Sequence, residues 1–137
     1  MKIKRIAHIG IACNDSAEVK KLYVDKLDLA VTREEMQGEI KISFVPVGET
    51  NVELTQSTEE EGLIAKFVEK RGEGIHHLAF EVEDIDSALE ELKAKGVQLI
   101  DQQARSGAHD ARIAFIHPKA THGVLIELVE YPAGYRR

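Results

Sequence analysis

The chain has 137 residues, 43% hydrophobic and 31% charged, which suits one compact globular domain or two small modules sharing a core. Its net charge of −6 argues against a nucleic-acid or membrane-surface role, since both want a concentrated basic face. No apolar run is long enough to span a bilayer and no basic-then-apolar segment opens the chain. The single cysteine, Cys13, cannot close an internal disulfide, so the expectation is a buried strand residue in a cytoplasmic protein.

The first element is the alternating run "RIAHIGIACND", Arg5 to Asp15, which predicts a strand closed by an acidic cap. Asp15 then reads as the N-cap of a helix, with Glu18 at capping-box spacing and Val19, Leu22 and Tyr23 on one helical face. Three strands follow, a short one in "AVTREEMQ" and a pair in "EIKISFVPVGETNVELTQ". The segment of about 58–71 is a linker whose helix runs from about Gly62 to Lys70. The acidic run Glu59 to Glu61 lies at that helix's positive end and reads as a solvated start.

The second half repeats the first. Setting His8 on His77 aligns Gly10 with Ala79, Cys13 with Val82 and Asp15 with Asp84. "EDIDSALEELKAKGVQL" supplies the matching helix, with Ile85, Ala88, Leu89 and Leu92 on one face and Gly96 as its stop. "VQLIDQQ" predicts the short strand, and "ARIAFIHPKATHGVLIELVE" the pair, so Lys41 to Val45 lie on Arg112 to Ile116 and Glu53 on Glu127. The fold class is therefore α+β: one domain over 1–137, built of two tandem βαβββ modules at about 1–57 and 72–131, forming a concave mixed sheet around a metal site.

The metal follows from sidedness. Strand alternation puts His8 with Gly10 and Ala12, opposite Ile9, Ile11 and Cys13, and turns Glu53 and Glu127 away from their apolar neighbours. Imidazoles and carboxylates on a buried face are costly unless paired, and a shared ion removes the difficulty. His8, Glu53, His77 and Glu127 form a mixed nitrogen and oxygen set suited to cobalt, zinc, nickel or manganese rather than calcium or magnesium, with cobalt favoured. Lys41 and Arg112 occupy matching strand positions, expected on the concave face, and read as cations attracting an anionic substrate. His76, next to His77, must point to the other side of its strand and is expected to be packed or hydrogen-bonded. His109 and His122 lie in glycine-containing loops.

"HIGIA", "GEGIHHLAFEV" and "SGAHDARIAFIHPKATHGVLIELVEY" resemble the vicinal-oxygen-chelate superfamily and, within it, the methylmalonyl-CoA epimerase family, over about Arg5 to Tyr131. The ending Phe115, His117, Pro118, Lys119 and Gly123 to Leu128 is the more family-specific part. The resemblance implies one divalent metal per chain on His8, His77 and Glu127 with Glu53 in the fourth position, a homodimer, an acyl-CoA thioester substrate, and Lys119 as a carboxylate or phosphate contact.

The chemistry expected at such a site is removal of the proton beside a thioester carbonyl and its return to the opposite face, through a metal-bound enolate, with Glu53 and Glu127 as acid and base. Where some family members place a third-strand glutamate base, this chain has Lys41, a poor base with an ordinary pKa of about 10, so Glu39 is a further candidate. Glyoxalase I chemistry on a glutathione hemithioacetal is the alternative enzyme. A metal-free small-molecule binding protein is the alternative of a different class.

Overall fold

The computed structural model describes residues 1–135. Among them lie eight strands and three α-helices in a mixed α+β arrangement, and no helix is long and apolar enough to cross a membrane. The chain divides into two compact units, residues 8–76 and residues 1–7 with those from 77 onward. The strand β1 (Ile3–Cys13) is continuous across that boundary and lends its first half to the second unit.

In the unit of residues 8–76 the strands follow the order β2 (Arg33–Gln37), β3 (Ile40–Val47), β4 (Thr50–Ser57) and β1. β4 lies antiparallel to β3 and parallel to β1. Cys13, Val45 and Leu54 form the core on one face, covered by Val19 and Tyr23 of the helical segment together with Leu29 and Val31. α1 (Ser16–Lys20) begins at Asp15, whose carboxylate accepts from the Ala17 N–H. A cap of this kind is worth about 1 kcal/mol. Glu18 does not complete a capping box: its carboxylate reaches forward to Lys21 at 2.9 Å. From Lys21 to Lys26 the helix widens to π-type hydrogen bonding, which breaks the 3.6-residue period. Leu22 is accordingly 51% exposed, not on the core face that the spacing predicts. α2 (Leu63–Arg71) starts one residue inside the linker helix expected from the sequence and buries Ile64.

In the other unit the order is β5 (Gly74–Val82), β8 (Ile126–Glu130), β7 (Arg112–Ile116) and β6 (Arg105–Ser106). α3 (Ile85–Ala94) packs Ile85, Ala88 and Leu89 against Val82, Ala114, Ile116 and Leu128. On the other face of this sheet Ala7, Ala79, Ala111 and Val129 make a smaller cluster.

The repeat is visible in one device used twice. The Gln56 carboxamide oxygen accepts from the Ser16 N–H at the start of α1, and the Glu130 carboxylate accepts from the Ile85 N–H at the start of α3, both at 2.8 Å. Each helix is thus tied by an orphan N–H to the strand residue three positions after Glu53 or Glu127. The repeat fails at "VQLIDQQ". Val97 to Gln103 makes a single bridge, Leu99 with Ile116, and the short strand comes later as β6. The Asp101 carboxylate accepts from the Phe115 N–H at 2.8 Å, taking the place a ladder carbonyl would fill.

Candidate functional site

The residues before Glu53 and Glu127 explain why these carboxylates are held as they are. In the first unit β1 and β4 pair in parallel with Gly10 beside Glu53, and Phe44 of β3 is the cross-strand partner of Glu53. Gly10 and His8, two residues apart on β1, share a strand face beside Glu53. His8 Nδ1 lies 3.0 Å from Glu53 Oε2, and neither side chain is more than 7% exposed. The second unit repeats the arrangement with Ala79 beside Glu127 and Phe115 across from it. His77 Nε2 lies 3.5 Å from Glu127 Oε1, both side chains are at most 9% exposed, and the Phe115 ring meets the His77 ring edge to face at 5.8 Å. Each unit therefore buries one imidazole against one carboxylate, between a small residue and a phenylalanine.

This donor set fits a divalent ion. Isolated charge burial costs several kcal/mol per group, and imidazole nitrogen with carboxylate oxygen is the ligand chemistry of cobalt, zinc, nickel or manganese. His8, His77 and Glu127 are all buried and each offers a ligand atom. The sequence pointed to the histidines and glutamates. It gave no role to Phe44 and Phe115, although their alignment in the repeat and their place opposite the glutamates could have done so.

Profile comparison decides the family. The profile of the glyoxalase/bleomycin resistance protein/dioxygenase superfamily matches residues 7–115. The chain belongs to that superfamily. Among curated relatives of this superfamily member, an uncharacterised protein of Bacillus subtilis is 36% identical over 93% of both chains. The ethylmalonyl-CoA/methylmalonyl-CoA epimerase of Cereibacter sphaeroides is 33% identical over 92% of this chain and 97% of its own. Among solved structures, a variant of Streptomyces coelicolor methylmalonyl-CoA epimerase in complex with 2-nitronate-propionyl-CoA superposes with a TM-score of 0.92. It is 32% identical, covering 99% of this chain and 100% of its own.

The remaining residues singled out in the sequence of this superfamily member fall elsewhere. Lys41 pairs in register with Gln56 and shares its parity with Ser43 and Val45, which places it on the helix-bearing face, opposite to Phe44 and Glu53. Its ammonium lies 3.5 Å from Glu34 Oε2. Arg112 does the same in the second unit: it shares a face with Ala114 and Ile116 and grips Asp86 of α3 through two hydrogen bonds of 2.7 and 2.8 Å. That contact holds the Asp86 carboxyl below its ordinary range and raises the Arg112 guanidinium. Both cations are thus on the face away from the glutamates, correcting the concave placement expected for them.

Glu39 precedes β3 and stands beside Gly62 at the start of α2. Lys119 is exposed in the turn after His117, its N–H donating to His117 Nδ1 at 3.1 Å. His76 packs its ring on Phe67 at 4.9 Å, and His109 lies against Tyr131 and Tyr135. Burial, and secondarily Glu73, pushes the Cys13 thiol up to about 11, so it stays protonated and inert at neutral pH.

A carboxylate that the sequence reading passed over is Glu35. It pairs with Ile42, whose parity is that of Phe44, so it points to the face of Glu53, where Arg33 holds it at 2.6 Å. Only the register of β2 against β3 reveals this, because the run "REEMQ" has no sidedness of its own.

Proposed function

We propose that this chain is a metal-dependent epimerase that interconverts the 2R and 2S forms of methylmalonyl-CoA. The observation that carries the reading is the twice-built buried pair, His8 with Glu53 and His77 with Glu127, in a chain whose relatives include named epimerases of this thioester. His8, His77 and Glu127 would hold one divalent ion, with Glu53 in the fourth position. When bound, such an ion supplies a positive centre that stabilises developing charge on the thioester oxygen, an effect of several kcal/mol.

The chain's own residues account for the rest. Glu53 and Glu127 belong to opposite modules, so one would take the C2 proton and the other deliver a proton to the opposite face. Phe44 and Phe115, each directly across from a glutamate, would give each carboxylate an apolar neighbour on its own sheet face. Lys119, exposed in its turn, would be the residue to meet a carboxylate or phosphate of the thioester. Lys41 and Arg112, each ion-paired on the helix-bearing face, have no part in this scheme. The relatives' names also favour an acyl-CoA substrate, and the chain would work as a homodimer.

The test is incubation of the metal-loaded protein with methylmalonyl-CoA in deuterated buffer, following deuterium at C2 and inversion. Rapid exchange with inversion is expected, at far higher efficiency than turnover of the methylglyoxal and glutathione adduct. Equal or better turnover of the adduct would make the protein a glyoxalase.

A further inference from the structure

Two positions before each glutamate the modules differ in polarity. Asn51 precedes Glu53 by two positions on β4, so both side chains point to the same face, and the parallel register sets Asn51 directly beside His8. Its cross-strand neighbour on β3 is Pro46, whose side chain offers no polar atom. Asn51 is 9% exposed, and among the described residues no hydrogen bond engages its carboxamide. Its nitrogen and oxygen are not among the fully buried polar atoms left without a partner, so the carboxamide is reached from solvent and is open to a ligand. The corresponding position in the second module, two before Glu127, is Leu125.

The substrate class read above is itself unsymmetrical at C2, with a carboxylate on one substituent and a methyl group as another. We propose that Asn51 orients that substrate by donating its carboxamide N–H to the free carboxylate, while Leu125 gives the second module no competing donor. The proposal rests on the epimerase reading. A neutral donor is the residue type the place requires. A lysine beside Glu53 would pair with it and lower its basicity, whereas a carboxamide makes a charge-assisted hydrogen bond to an anion without adding charge.

The experiment uses the metal-loaded full chain as wild type, Asn51→Leu and Asn51→Asp, with two ligands differing at C2. These are 2-nitronate-propionyl-CoA, whose nitronate stands where the carboxylate would be, and propionyl-CoA, which has neither. Calorimetric titration should show Asn51→Leu losing about tenfold or more in affinity for the nitronate, the scale of one lost hydrogen bond to a charged group. Propionyl-CoA affinity should stay within about twofold. Asn51→Asp is isosteric and should lose more through like-charge repulsion, which keeps the test standing if Asn51→Leu does not fold. In deuterium exchange, KM for methylmalonyl-CoA should rise with the nitronate affinity loss while kcat changes less. Equal losses for both ligands, or none, in variants of a wild type that exchanges C2, would overturn the role of Asn51 alone. A wild type that neither binds the thioesters nor exchanges C2 would overturn it together with the epimerase reading.

Discussion

Glu53 and Glu127 hold equivalent places beside Gly10 and Ala79, and their removal is expected to have mirror-image consequences. Glu127→Gln and Glu53→Gln each keep a neutral oxygen and lose a base, so each should lose epimerisation by about 10²-fold or more. Exchange should survive asymmetrically: a variant lacking one base still removes and returns the proton on the other face, so one enantiomer washes in deuterium without inverting. The other variant should show the opposite preference. Stereospecific deuterium exchange on each enantiomer, with metal content as the control, makes the measurement. Full epimerase activity in Glu53→Gln would move the second base to Glu35, which shares the face of Glu53, and not to Glu39 or Lys41, which lie elsewhere. In that case Glu35→Gln should show the exchange pattern first expected of Glu53→Gln.

Between elements, the most informative contact is at Glu34. Its carboxylate on β2 accepts from Lys20 of α1 and from the buried Ser43 hydroxyl of β3, both at 2.6 Å, with Lys41 at 3.5 Å. The Lys20 ammonium first, and Ser43 next, hold the Glu34 carboxyl down to about 2, against an ordinary 4.5. Because the folded value is depressed, the stabilisation is present above pH 4.5 and is lost as pH falls toward 2. The side chain is 41% exposed, so after screening Glu34→Gln should cost no more than about 1 kcal/mol at pH 7. Urea unfolding of both proteins between pH 7 and pH 2 should show that gap closing on the acid side. A gap that stays constant to pH 2 would show that Glu34 contributes packing alone.

A steric prediction belongs to the β6–β7 hairpin. A Cβ at Gly107 would stand 2.6 Å from Ile113 Cγ2, so Gly107→Ala should destabilise the chain by about 1–3 kcal/mol in the same assay.

These contacts also show where sequence reading stops. His8, Asp15 and Glu53 and their counterparts His77, Asp84 and Glu127 were legible because period and capping are local and the repeat stated them twice. The faces of Lys41, Arg112 and Glu35 were not. Which side a strand residue occupies relative to Glu53 depends on even or odd register between strands, and a one-residue difference reverses it. Leu22 was misplaced by a π turn that leaves no local mark, and Val97 to Gln103 by an aspartate standing in for a backbone acceptor.

For the whole molecule the question is whether the two His–Glu pairs serve one ion or two. If one ion is shared, its binding energy couples the modules: ligands from both are needed, and either histidine alone holds it poorly. Saturating metal at about 1,000 times Kd would then stabilise the native chain by about 4 kcal/mol and raise Tm on the order of 10 °C, and chelator would remove the whole shift. His8→Ala should abolish that shift, His77→Ala should abolish it equally, and the double variant should do nothing further. Elemental analysis should give one ion per wild-type chain and none in either single variant, with circular dichroism confirming that each is folded. The core residues Leu54, Val45 and Leu128 on the helix-bearing faces, with Leu89 of α3 packed in the same core as Leu128, are clustered away from both histidines, so folding should survive. Two ions per wild-type chain, with each single variant keeping one ion and about half the Tm shift, would instead mean two independent sites. The proton transfers assigned to Glu53 and Glu127 would then have no common centre.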